Sequence, residues 1–145
     1  MAEKPPQNLA NHGRLDPLFH FFLLPVLVAL LIHSVISLIR HPGWEYLWEV
    51  LLVTGLAVTA VKARTYALKV QDRVIRLEQR LRLAALLPES SRPQIAKLSE
   101  DQLIALRFAS DEETPALVQR ALSENLSRAD IKKAIKNWQP DYWRV

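Results

Sequence analysis

Two side chains in the apolar half of the chain, His33 and Glu49, could move a proton or hold a cation. An ionisable group is expensive to keep inside a membrane-length apolar segment, which makes any such group a candidate for proton transfer or ion passage. His33 stands in "LLIHSVIS", beside Ser34 and Ser37. Glu49 follows Glu45 by one helical turn and lies near Arg40 and His41 in sequence. Each also has a structural reading. His33 can hydrogen-bond across to a neighbouring helix. Glu45 and Glu49 can complement a helix N-terminus and pair with Arg40 at a membrane surface. His12, His20 and His41 have no second histidine at i, i+4, and none of them opens or closes a zincin-like HExxH pattern. His20 and His33 are 13 residues apart, on different helical faces, so a bis-histidine haem has no support. The sequence has no cysteine, which excludes a disulfide, a thiolate metal site and a thiol nucleophile. It has no Walker loop and no GxSxG elbow. On these residues the chain is read as not an enzyme, with no cofactor and no metal.

The elements that would position His33 and Glu49 are two apolar runs. Residues 18–39 contain no Asp, Glu, Lys or Arg. At ~1.5 Å per residue they cover about 33 Å, enough for a hydrocarbon layer of about 30 Å. The run is too long for a signal-peptide core, and a second apolar run follows at once. "RHPG" (40–43) makes a tight connection, and residues 44–61 form the second span. Trp44, Tyr46 and Trp48 at one end of it, with Tyr66 just past the other, are the aromatic belts of a membrane interface. The expected architecture is a transmembrane hairpin over 18–61, after an N-terminal tail of residues 1–17.

Charge fixes the orientation. Residues 62–87 carry seven basic groups against Asp72 and Glu78, and residues 88–145 carry nine of each sign. The basic excess behind the net charge of +4 therefore sits just beyond the second span, in residues 62–87 with seven basic groups against two acidic, where the positive-inside bias places cytoplasmic residues. Both termini are expected in the cytoplasm.

The second helix does not stop at the membrane. No Gly or Pro interrupts residues 56–87, and Ala63, Ala67, Val70, Val74, Leu77 and Leu81 recur at alternating steps of four and three. That heptad spacing predicts a stalk over 62–87 with an interaction seam, in which Arg73 and Glu78 take flanking g and e positions. Gly55, Thr59 and Ala63 recur every four residues and would let another helix approach closely, either the first span or another copy. The stalk could instead lie on anionic lipid or pack on its own head.

Residues 88–145 read as a small three-helix head. Ser99 with Gln102 forms a capping box, Thr114–Pro115 an N-cap pair, and Ser127 with Asp130 a third start signal. The apolar inventory is small for an independent domain. Trp138, Tyr142 and Trp143 with Arg144 could stack on single-stranded nucleic acid, but a charge-neutral head disfavours that, and Trp138 can instead close the small core.

The words "IALRFASD" and "IKNWQPDY", behind two spans, resemble a family of small bacterial membrane proteins classed as a domain of unknown function. The resemblance covers nearly the whole chain. It implies a bacterial inner (cytoplasmic) membrane location and no activity, and it transfers no functional residue. The sequence therefore points to an all-α membrane-anchored scaffold or interaction protein, a homo-oligomer or an accessory subunit of a larger membrane complex. Its partners would be the bilayer and itself or another membrane subunit. The alternatives are an oligomeric channel or transporter component and a membrane-tethered nucleic-acid binder.

Overall fold

The computed structural model describes residues 6–11, 13 and 15–141. It is all-α, and no strand occurs among the described residues. A π-helical segment, Leu18–Leu23, leads into α1 (Leu24–Arg40). After a short connection comes α2 (Trp44–Leu86), a single helix of 43 residues. A 3₁₀ segment, Glu89–Lys97, precedes α3 (Glu100–Leu106), α4 (Thr114–Ser123) and α5 (Arg128–Ala134). The helices Leu18–Arg40 and Trp44–Leu86 are both long and apolar enough to cross a membrane. The chain divides into two compact units, one of residues 15–69 and one of residues 1–14 with 70–144. The division falls inside α2, so residues 70–86 group with the C-terminal helices.

In the first unit Asp16 starts the helix. Its carboxylate accepts from the backbone N–H of Leu18 at 3.1 Å and of Phe19 at 3.2 Å. The π-type bonding arises from Pro25. Proline brings no N–H to the ladder, and the Leu24 N–H reaches back to the Phe19 carbonyl. Leu27 and Ser34, two turns apart on one face of α1, and Val53 on α2 are the buried side chains of this unit. Ser34 is small, and its hydroxyl donates to the Leu31 carbonyl at 3.0 Å, so it leaves no polar group unsatisfied. Most other apolar side chains of the unit, among them Phe21, Phe22, Val28, Ile32, Leu52 and Leu56, are exposed.

The second unit has a closed apolar core built from Leu103, Leu106, Phe108, Val118, Ala121 and Ile131, with Leu83 from the end of α2 and Leu87 just after it. Burying each of the larger of these is worth ~1.5–3 kcal/mol. Its helices begin where local chemistry dictates. Ser99 accepts from the Gln102 N–H at 3.2 Å, and Gln102 Oε1 accepts from the Ser99 N–H at 2.9 Å. The Gln102 amide then donates to the carbonyls of Ala121 and Leu126, tying the start of α3 to the end of α4. Ser127 accepts from the Asp130 N–H in the same way at α5. Asn125 stands at φ 48°, the left-handed position that ends α4, and the Leu126 N–H closes back on the Ala121 carbonyl. On the outer face of α4, Arg120 bonds Glu124 across one turn; this hydrogen bond holds the Glu124 carboxyl below its usual range and raises the arginine.

One local expectation is corrected. Thr114 is not the N-cap of α4: Glu113 holds that position, and the Thr114 hydroxyl donates back to the Ser110 carbonyl at 2.6 Å. The Glu113 carboxylate is taken by the backbone N–H groups of Lys136 and Asn137, which fix the tail. Between Pro88 and Ser99 the chain forms the 3₁₀ segment, which contains Pro93. The tail runs antiparallel to residues 108–110, bridging Ala109 to Trp138. The Trp138 ring lies 5.1 Å from that of Phe108.

Candidate interaction surface

Helix α2 carries two longitudinal stripes between Val70 and Leu87, and they have opposite fates. Ile75, Gln79, Leu83 and Leu87 are buried, and the last two enter the core of the second unit. Val70, Val74, Leu77 and Leu81 are 63%, 48%, 59% and 65% exposed. Both stripes have helical spacing. Leu81 and Leu83 are two residues apart, hence about 200° around the helix, on opposite sides. The unit satisfies one apolar face of α2 with its own core and leaves the other bare. Val70, Val74, Leu77 and Leu81 thus line one continuous exposed apolar face rather than lying scattered over the surface.

Charged side chains lock the inward face. The Arg82 guanidinium reaches the Asp111 carboxylate at 2.6 and 2.8 Å, the Ala109 carbonyl at 2.7 Å and Gln139 Oε1 at 2.8 Å. Arg76 pairs with Glu100, and its Nε donates to the Asp72 carbonyl. Arg107 lies beside Asp141 at 3.2 Å, with its guanidinium 4.4 Å from the centre of the Phe108 ring. Gln7 closes the unit from the other end of the chain. Its amide donates to the Asp141 carbonyl at 3.1 Å and accepts from the Asp141 N–H at 2.8 Å. These partners hold residues 70–86 of α2 within the second unit, with the stripe facing outward from it.

In the other unit, Gly55, Thr59, Ala63 and Ala67 are all exposed. The Thr59 hydroxyl is satisfied by the Gly55 carbonyl at 2.8 Å. The small-residue ladder is therefore not the face buried within this unit; that face of α2 holds Val53. Arg64 pairs with Asp16 at 3.5 Å and lies over the Phe19 ring at 5.7 Å. His20 Nδ1 is 2.8 Å from the Asp16 carbonyl.

No hydrogen bond or ion pair joins His33 to Glu49 among the described residues. His33 is exposed on α1 and makes no bond to α2 among the described residues, whereas Ser34 beside it is buried. Glu49 is half-buried. No ion pair joins Arg40 to Glu45 or Glu49 among the described residues, contrary to the pairing expected from the sequence; the Glu45 carboxylate folds back over Gly43. Among the described residues no group of three His, Cys, Asp or Glu side chains could hold a metal. Of the tail aromatics, Trp138 is engaged with Phe108; Tyr142, Trp143 and Arg144, like His12, lie outside the described residues.

Sequence reasoning missed Arg82, Arg64 and Gln7. Each pairs with a residue far along the chain, and each stands in a stretch whose composition reads as an ordinary solvated surface. The one signal for Arg82 is its place next to Leu83, on the face opposite the heptad seam.

A family model described as "Family of unknown function (DUF6526)" matches residues 1–145. No curated protein and no solved structure matches the chain.

Proposed function

The chain belongs to that family of unknown function, from which no activity carries over, and on its own geometry we propose that it is a membrane-anchored scaffold that self-associates through α2. Residues 18–61 form a hairpin in a bacterial inner membrane. Both termini are cytoplasmic, and the C-terminal helices form a head carried on the stalk end of α2. The exposed stripe Val70, Val74, Leu77 and Leu81 is the observation that carries this reading, because the face opposite it is already occupied by the chain's own core.

Three further observations support the membrane arrangement. The most apolar windows of the two long helices are only 11% and 6% buried, whereas the core helix of a water-soluble protein would be mostly buried. Helices that are apolar all round and still uncovered need a non-aqueous solvent. Gln7, before the first span, bonds Asp141, after the second, as residues on one side of a membrane can. Asp16 and Arg64 pair at the corresponding ends of the two spans, as residues at one interface would. The stacking that a nucleic-acid role would ask of Trp138 is used up by Phe108.

The topology is tested by single cysteines replacing Asn8, His41 and Ser123, three exposed positions. In intact spheroplasts an impermeant thiol reagent should label only His41→Cys. Labelling of Ser123→Cys from outside would overturn the cytoplasmic head.

A further inference from the structure

We infer that the partner on the exposed stripe is a second copy of this chain, parallel and in register, and that the cleft lined by Arg73, Val74, Arg76, Leu77, Arg80 and Glu100 receives the partner's Glu78. This rests on the self-association proposed above and specifies its geometry.

Consider the charges of α2 that the fold leaves over. Arg76 is paired with Glu100, and Arg82 with Asp111. Arg73, Glu78 and Arg80 are exposed, and none of them has an ion-pair partner among the described residues. Arg73 and Glu78 flank the apolar stripe on its two sides. Five residues apart on one helix, they point about 140° from each other and cannot meet within the chain. Across a parallel seam the same offset brings them together. With Val74 and Leu81 at a and Val70 and Leu77 at d, Arg73 is a g position and Glu78 the e position that faces it from the neighbouring helix. The arginine side of the stripe is not flat. It is a cleft of about 480 Å³ floored by Val74 and Leu77, with Arg73, Arg76 and Arg80 around it. A single carboxylate entering from across the seam finds the unpaired Arg73 there, beside an apolar surface that the partner's own stripe covers.

Orientation and register follow from the same residues. In an antiparallel pair the g positions face each other, setting Arg73 and Arg80 against arginines; like charges across a seam count against that arrangement. Two copies threaded through one membrane by the same span start at the same depth and point the same way. Zero register is then the pairing reached without sliding either span. Tethering in a membrane also raises the effective concentration, which lets a seam of about two heptads suffice.

The test uses the full chain in native membranes, with Val74→Cys as the cross-linking reporter and two epitope tags to tell copies apart. Arg73→Glu alone places two carboxylates together, and Glu78→Arg alone places two guanidinium groups together. Each should lower the cross-linked fraction, and the double substitution should restore it. When the Arg73→Glu chain and the Glu78→Arg chain are co-expressed, both flanking pairs become opposite in sign. Mixed cross-links should then exceed like-with-like cross-links by roughly fivefold or more. Both positions are exposed, so the variants keep the core intact. If the parent cross-links but the single variants match it and mixing shows no preference, the Glu78 contact is wrong while the seam stands. If the parent itself never cross-links, the self-association and this contact both fail.

Discussion

Leu77→Lys is expected to abolish association of the full chain while leaving its head folded. Leu77 is 59% exposed in the single chain, so a lysine there meets water and costs little. In the paired state the same ammonium is enclosed by the apolar stripe of the other copy. Burying a charge without a partner costs several kcal/mol in each chain, and two chains are affected at once. Since each 1.4 kcal/mol is tenfold, association should fall by at least about a hundredfold. Energy transfer between singly labelled copies in liposomes would read this. Gln119→Lys is the control, since it adds the same charge on the exposed face of α4. Gln71 makes a poor control despite its place beside the seam, because its side-chain oxygen is enclosed in the fold. A helix lying on anionic lipid gives the opposite pattern, because an added lysine there is attracted to the headgroups and copy-to-copy transfer was never present.

Leu83→Ala and Leu81→Ala are expected to separate folding from assembly. The two leucines are nearly adjacent in sequence and point to opposite sides of α2. Leu83 is fully buried in the core with Phe108 and Leu106, so truncating it removes apolar contact and leaves a cavity. The loss should be ~2–5 kcal/mol, enough to consume much of the stability of so small a unit. Leu81 is 65% exposed, and its truncation should change the stability of the single chain by less than ~0.5 kcal/mol. Association should respond in the reverse order per unit of folding lost. Denaturant unfolding followed by the fluorescence of Trp138, with the other three tryptophans replaced by Phe, would read the first effect, and energy transfer the second. Equal destabilisation by the two changes would show that the outward stripe is covered within the chain.

What could be read from the residues depended on how local the cause was. Ser99 with Gln102 and Ser127 with Asp130 are contacts over three residues, and both caps form as their spacing dictates. The length of α2 was legible because nothing in residues 56–86 breaks a helix. The two stripes were harder. Val70–Val74–Leu77–Leu81 and Ile75–Gln79–Leu83 share helical spacing, and the longer heptad run drew attention to the first. Which stripe the head takes depends on shape, and the buried one includes a glutamine that an apolar search passes over. Thr114 was misread because its hydroxyl had a competing acceptor in the Ser110 carbonyl. Other ties join residues far apart in the chain, Arg82 to Ala109 and Gln7 to Asp141 among them, and no periodicity announces such pairs.

The central claim, that copies meet through the outward stripe of α2, is tested most directly by a cysteine scan. Each position from Ala67 to Leu83 is replaced singly in the full chain, and disulfide formation between copies is measured in native membranes. The account predicts peaks at Val70, Val74, Leu77 and Leu81, with minima at Ile75, Gln79 and Leu83. A flat profile, or maxima at Ile75 and Gln79, would contradict it.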